Sequence, residues 1–336
     1  MRMARMGLRH REAWDALVAD TPGAGFMQSW AWSEFKALEG YDVERLGLFA
    51  AERLVGGALG YAFASPAGMD LVLVPDGPVL PWESPEAPGM FAALVDAFRS
   101  RPTARRAVAL RVEPRLAACP PALVDLPRAP VDLVPDETLL VELGSDEAML
   151  SRMKPKGRYN VRLAARHGVE VQSSTDPEDV HEFAFVLDQT ARFQDFRAEP
   201  KRFFINLLLA LGPTRARLAF ARYKGITLAA ALTLRHGETV TYLHGGHLPL
   251  FPQVMASYAL HWHLLREAAR EGYREYDFYG FVPAGRPDHP YDRFSRFKEK
   301  FGGRPVRRIG SRDVIFHERL AAAAQKVMRD LPAAHR

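Results

Sequence analysis

Cysteine is almost missing from this chain: Cys119 stands alone among 336 residues. A single thiol excludes an intramolecular disulfide and any metal site built on paired cysteines, and it fits a reducing compartment. Long apolar runs are missing too. Across the first twenty residues charged side chains, among them Arg2, Arg5, Arg9 and Arg11, break every hydrophobic stretch. The sequence therefore predicts neither a secretory leader nor a transmembrane segment, and it points to a cytoplasmic protein. No stretch of uninterrupted heptads is long enough for a coiled-coil hairpin. What is present is ordinary for a globular protein, with 48% hydrophobic and 25% charged residues, which excludes disordered and fibrous classes. The length exceeds the size at which one core stops growing, so two domains are expected. A net charge of +5 leans toward polyanionic partners such as nucleic acid, nucleotide-linked sugars or anionic lipid heads.

The chain repeats itself. Arg45–Phe63 reads as strand, tight turn at Glu52-Arg53, and strand, and Arg217–Arg235 has the same outline with its turn at Lys224-Gly225, 172 positions later. A third strand follows in each half, Leu71–Pro78 and Thr239–Gly246. An amphipathic helix comes next, around Met90–Phe98 and around Ala256–Ala269. Each helix leads to a further strand, Val108–Val112 and Tyr276–Gly280, 168 positions apart. Four elements in one order at nearly constant offset predict duplicated α/β units. Between them, six prolines from Pro114 to Pro135 predict an irregular connector. Leu139–Leu143 reads as a short strand opening the second half, and Ser145 as a helix start.

After the aromatic strand at Tyr276–Gly280 comes a Pro/Gly-rich loop, then a short basic helix, Phe294-Ser-Arg-Phe-Lys-Glu-Lys-Phe301, stopped by Gly302-Gly303. That order resembles the C-terminal signature of the Fem-type (FemABX) peptidyltransferases. These bacterial enzymes carry amino acids from aminoacyl-tRNA to the stem peptide of a peptidoglycan precursor. Hairpin, third strand, helix and fourth strand is also the order of the GNAT-type N-acyltransferase core, and Fem-type enzymes resemble two such units in tandem. The resemblance implies an α/β (α+β) fold of two tandem GNAT-like domains. The first, over residues 1–142, is the acceptor side, the second covers 143–316, and a closing C-terminal helix runs over 317–336. Some members insert a long helical hairpin; this chain resembles the shorter ones.

The resemblance also assigns roles, each with a plainer reading beside it. In Gln28-Ser-Trp-Ala-Trp-Ser-Glu-Phe-Lys36, Gln28, Trp32 and Lys36 share a helical face. Lys36 would hold the diphosphate of the acceptor, or it is a solvated lysine on an amphipathic helix. Thr190-Ala-Arg-Phe-Gln-Asp-Phe196 is similar to a Thr-x-Arg-x-x-x-aromatic pattern completing the acceptor site. Arg192 would grip phosphate, Thr190 and Phe196 would contact the acceptor, and the phenylalanine lacks a tyrosine's hydroxyl. Otherwise Arg192 complements a helix dipole. Tyr242 and His244 stand where the family often has Tyr-x-Tyr, implying further acceptor contacts. Six cations from Arg152 to Arg166, with no acid between Glu147 and Glu170, form a basic segment in which Arg158, Arg162 and Arg166 repeat every four residues. It would meet tRNA phosphates, or it is a solvated face. Phe297-Lys298 matches the family's Phe-Lys pair. Phe297 would contact substrate, and the Lys298 ammonium would sit by the reacting carbonyl and stabilise its oxyanion.

His244-Gly-Gly-His247 and His261-Trp-His263 lack known zinc spacing, and Ser257 and Cys119 have no nucleophile elbow or base in reach. No metal and no resident cofactor are expected, with aminoacyl-tRNA as co-substrate and a nucleotide-linked or lipid-linked peptidoglycan precursor as acceptor. A lipid-linked acceptor would bring the protein to the membrane periphery. An acyl-CoA-dependent GNAT-like transferase is the enzymatic alternative. It is disfavoured by the absence of glycine between Gln253 and Tyr258, where such enzymes cradle pyrophosphate. A non-enzymatic RNA-binding protein is the other alternative, and it leaves Lys36 and Phe297-Lys298 unexplained.

Overall fold

The computed structural model describes residues 1–64, 70–194, 196–283 and 292–318, excepting the side chains of Asp292 and Arg293. The Pro/Gly-rich loop before Asp292 and nearly all of the expected closing helix lie outside the described residues. The chain forms two compact units, residues 1–136 with 307 onward and residues 137–306.

The first unit begins with β1 (Arg2–Arg5), α1 (Arg11–Asp20) and α2 (Trp30–Leu38). The repeat follows as β2 (Val43–Ala50), β3 (Arg53–Phe63), β4 (Asp70–Pro75), α3 (Ala87–Arg99) and β5 (Ala107–Glu113). The second unit opens with β6 (Glu137–Glu142), α4 (Asp146–Arg152), α5 (Pro155–Arg166), β7 (Glu170–Ser174), α6 (Val180–Gln194) and α7 (Lys201–Arg215). Its repeat is β8 (Ala216–Tyr223), β9 (Ile226–His236), β10 (Thr239–His247), α8 (Ala256–Arg270) and β11 (Glu275–Asp277), then α9 (Asp292–Lys298) and β12 (Arg304–Arg307). Finally β13 (Arg312–Ile315) rejoins the first unit. Among the described residues no helix is longer than the 15 residues of α6, α7 and α8, so no coiled-coil hairpin is present there.

The two sheets repeat one strand order. The first runs β1-β2-β3-β4-β5-β13, and the second, from its far edge, β7-β8-β9-β10-β11-β6 with β12 added outside. In each, the third repeat strand is antiparallel to the second and parallel to the fourth. A parallel neighbour needs a crossover, which α3 and α8 supply. Alternating burial explains the packing. Leu260, His261, Leu264, Leu265 and Ala268 of α8 sit on one side of the second sheet in a core with Tyr276, Phe278 and Phe301. Met90, Leu94 and Phe98 of α3 fill the same place in the first unit.

The expected boundaries are corrected in two places. The strand β6, placed inside the first domain by a limit at 142, pairs with β11 of the second sheet. The strand β13, placed in the second domain by a limit at 316, pairs with β5 of the first. Its attachment is chemical as well as hydrophobic: Arg111 Nε and Nη2 bond the two Asp313 carboxylate oxygens at 2.8 Å each. Glu113 Oε1 accepts from the Ser311 hydroxyl at 2.6 Å and from the Leu133 and Val134 N–H groups of the connector. Burial pushes the Glu113 carboxyl up to about 7 against those bonds.

Candidate active site

The site is built where α9 ends. Lys298 is its last residue, followed by a single 3-10 turn, Glu299–Phe301, that closes on Gly302 in the left-handed conformation, φ +79°. Only glycine fits there, because a Cβ would lie 2.0 Å from the Arg152 carbonyl oxygen. The same turn is gripped from the other side by α5. Lys154 N–H donates to the Lys300 carbonyl at 3.1 Å, Lys154 Nζ meets Glu299 Oε2 at 2.5 Å, and a Cβ on Gly157 would stand 2.2 Å from the Lys300 oxygen. Thus part of the basic segment is an anchor for the lysine turn, and Gly157 is the contact point.

Lys298 is buried, with 9% of its surface exposed. Its ammonium donates to the carbonyls of Tyr279 at 2.7 Å and Gly280 at 2.6 Å. Burial lowers its pKa to about 7, and the Asp277 charge works in the opposite direction. Around it stands an aromatic wall. The Tyr242 ring centroid is 5.9 Å from Nζ. Phe297 packs edge-on against Tyr258 and Phe301, at 5.0 and 5.4 Å, so its ring belongs to the core of the second unit. His261 lies in the same cluster with Nδ1 3.2 Å from the Tyr276 hydroxyl. Burial and the neighbouring Lys298 charge push its pKa down to about 3, so it is neutral at pH 7. Burial raises the Tyr242 phenol.

The fourth strand of the second repeat is shorter than its aromatic pattern predicts. It stops at Asp277, whose Oδ1 accepts the Tyr279 N–H at 2.8 Å and the hydroxyl of Thr138 on β6. That Asx-type turn puts Tyr279 and Gly280 at φ +51° and +33°, and both carbonyls end on Lys298. β10 and β11 consequently pair only from Thr239 to Thr241 and Glu275 to Asp277, while β10 runs on beside β9 to His247. Past Asp277 the two parallel strands part, with Tyr242 at the fork. In the first unit β4 and β5 stay paired from Asp70 to Pro75.

Tyr242 and His244, expected together, are separated. The register slips by one residue between them against β9, and such a bulge reverses the alternation of faces. Tyr242 joins the lysine side, whereas His244 packs edge-on against Phe203 and Phe204 of α7, at 5.7 and 5.3 Å.

Thr190 is a structural tie. It is buried, accepts the His247 N–H at 2.8 Å, and lies within hydrogen-bond reach of the Val186 and His247 carbonyls. Its one hydroxyl proton is thereby engaged with backbone carbonyls. Arg192 and Phe196 are exposed and line a pocket of about 500 Å³ with Lys201, Arg197 and Asp188, and Asp188 pairs with Arg192 at 3.0 Å. In the first unit Gln28 precedes the helix: it is fully buried and clips the Leu59 backbone and the Pro75 carbonyl. Ser29 caps α2 through the Trp32 N–H. Lys36 Nζ lies 4.9–5.4 Å from the rings of Phe35, Tyr41, Trp32 and Tyr61, so the ammonium is positioned by four π faces.

All three arginines of the stripe line one depression, and Arg158 has a second engagement. Arg158 Nη1 reaches the Leu150 and Met153 carbonyls and so caps the end of α4. Arg162 and Arg166 are exposed beside Tyr159 in a depression of about 480 Å³. Among the described residues no group of three or more His, Cys, Asp or Glu side chains is arranged to hold a metal ion.

Residues 10–121 match the FemAB family, and residues 151–293 match the acetyltransferase (GNAT) domain. A stretch of 85 residues is 31% identical to aminoacyltransferase FemB of Staphylococcus epidermidis. It covers 25% of this chain and a fifth, 20%, of the FemB length. The crystal structure of FemX matches 96% of this chain and 99% of its own, with TM-score 0.83 at 18% identity. Part of the chain thus resembles the Fem-type proteins in sequence, and its fold is that of FemX. A tandem GNAT protein from the clavulanic acid biosynthesis pathway also superposes, with TM-score 0.54 at 13% identity over 94% of this chain and 98% of its own. The chain thus consists of two tandem GNAT-like domains, the second completed by β6 and the first by β13.

Proposed function

We propose that this protein is a Fem-type enzyme that transfers an amino acid from aminoacyl-tRNA to an amine of a peptidoglycan-precursor stem peptide, forming the interpeptide bridge. The observation that carries the reading is the buried Lys298 ammonium, held on two carbonyls at the fork of β10 and β11. Transfer begins when the acceptor amine attacks the ester carbonyl of the charged tRNA. The carbonyl π electrons move onto oxygen, giving a tetrahedral oxyanion. Two of the lysine's three protons are committed to Tyr279 and Gly280, and the third is directed at the developing charge. Collapse re-forms the C=O bond, expels the terminal ribose oxygen of the tRNA, and leaves an amide. The amine proton passes to that leaving oxygen or to water. No resident cofactor or metal takes part in this scheme.

Arg162 and Arg166 supply exposed charge for tRNA phosphate, and Lys36 of the first unit supplies charge for the acceptor diphosphate. The FemB and FemX likenesses support the same assignment. Among the described residues no helix is long and apolar enough to cross a membrane, which fits work on a soluble or interfacial acceptor in the cytoplasm. A second reading, acyl transfer from coenzyme A, is favoured by the GNAT match over residues 151–293. The test is to incubate the protein with a mixed pool of charged tRNA, or with acetyl-CoA, together with nucleotide-linked or lipid-linked precursor. Product mass is then read. A mass gain equal to an amino-acid residue, dependent on charged tRNA, is expected; an acetyl gain or none contradicts the proposal.

A further inference from the structure

We infer that Asp277, held by Thr138, is the positioning residue that orients Lys298 and keeps it charged. The inference rests on Lys298 acting as the oxyanion cation. Its first support is covalent economy: Asp277, Tyr279 and Gly280 lie within four residues, and one side-chain oxygen sets the path of all of them. Asp277 is completely buried. Its Oδ1 takes the Tyr279 N–H at 2.8 Å, which turns the chain out of β11. A tyrosine at φ +51° is a strained backbone, and strain of this kind persists where the surroundings impose it. Its consequence is that two successive carbonyls face one ammonium, at 2.7 and 2.6 Å. Extended strand geometry would send them to opposite sides.

The second support is electrostatic. A buried ammonium tends to lose its proton, and a neutral amine has no charge to offer an oxyanion. Beside Lys298 stand Tyr242 from β10, His261 from α8 and Asp277 from β11, with Tyr276 next to His261. The two phenols are raised and the imidazole is lowered by burial, so all three are neutral near pH 7. On its own turn, Glu299 is engaged with Lys154. Asp277 is the group whose charge favours the ammonium. Thr138 completes the device from β6 by donating its hydroxyl to the same oxygen. That explains why β6 must add to this sheet: it brings the residue that fixes the aspartate.

Asp277→Asn preserves both hydrogen bonds through the amide oxygen and removes the charge. With lysine Nζ labelled by 15N, NMR of the full chain follows the Lys298 titration directly, before any activity is measured. The expected result is a midpoint at least about one pH unit below wild type, the smaller end of the range for losing an adjacent opposite charge. The high-pH loss of transfer activity should move down by the same amount, with KM unchanged. Thr138→Val keeps the charge and frees the carboxylate, so it serves if the first variant does not fold. There a smaller downward shift and a severalfold fall in kcat are expected. Wild-type midpoints in both variants overturn the inference. If the midpoint moves while wild-type protein transfers nothing from charged tRNA, the positioning stands and the proposed reaction fails.

Discussion

Replacing Lys298 by methionine makes a prediction about stability that does not depend on any substrate. The ammonium has a pKa of about 7 in the folded chain against 10.5 as its ordinary value. Between those values the unfolded chain binds the proton and the folded chain has released it, so stability rises with pH across that window. Below pH 7 both states are protonated and the folded state carries the full cost of the buried charge. At about 1.4 kcal/mol for each pH unit, the span amounts to roughly 5 kcal/mol. Lys298→Met removes the titration and keeps most of the volume, while leaving the Tyr279 and Gly280 carbonyls without their donor. That loss costs about 1–3 kcal/mol for each carbonyl and is the same at every pH. The stability of wild type minus that of the variant should therefore be smallest near pH 6.5 and climb steadily toward pH 10. Urea unfolding of both proteins at pH 6.5, 8 and 9.5 measures the difference, and other titrating groups cancel in it. A difference that is flat with pH would refute the reasoning, because it would mean that burial does not lower the lysine's pKa in the folded chain.

Five other outcomes follow from the geometry. Gly157→Ala forces a methyl against the Lys300 carbonyl, 2.2 Å away. It should lower transfer activity severalfold through a displaced lysine turn, and wild-type kcat would contradict this. Arg162→Gln with Arg166→Gln should lessen the salt dependence of tRNA affinity by about two charges, a change of roughly 1.4–1.8 in the log–log slope. Arg158→Gln should mainly lower thermal stability, since its guanidinium caps α4; the reverse pattern in binding would restore the three-arginine stripe. Thr190→Val breaks the tie between α6 and β10 and should cost about 1–3 kcal/mol in unfolding free energy. Lys36→Ala should weaken acceptor binding by about 1.5–3 kcal/mol by calorimetry, the range for hydrogen bonds to a charged group, with the fold intact by circular dichroism.

The repeat was legible because it is local: hydrophobic period and turn chemistry repeat at nearly one offset, and Lys224-Gly225 forms the tight turn those residues favour, at φ +51° and +77°. Strand partners were not legible, because Leu139–Val141 and Val314-Ile315 carry the same apolar pattern whichever sheet they complete. The decision belongs to Arg111, Asp313 and Glu113 in one unit and to Thr138 and Asp277 in the other, contacts 139 to 202 residues apart in the chain. Within the site, Phe297-Lys298 and the glycine pair stood out as a motif. Asp277 read only as one polar position in an aromatic strand, although an aspartate two residues before a Tyr-Gly step is itself a turn signal. The separation of Tyr242 from His244 arises from a one-residue bulge, which leaves no mark in a period-two pattern. Thr190 and Arg158 look the same in sequence whether they meet a substrate or a backbone carbonyl.

The central claim, that the Lys298 charge acts on the transition state of aminoacyl transfer, is tested most directly by single-turnover transfer. Wild type and Lys298→Met are compared at saturating charged tRNA and precursor, with the aminoacylated product quantified by mass. The account predicts a rate constant lower on the order of a hundredfold or more in the variant, with substrate affinities little changed. A variant that transfers at nearly the wild-type rate would contradict it.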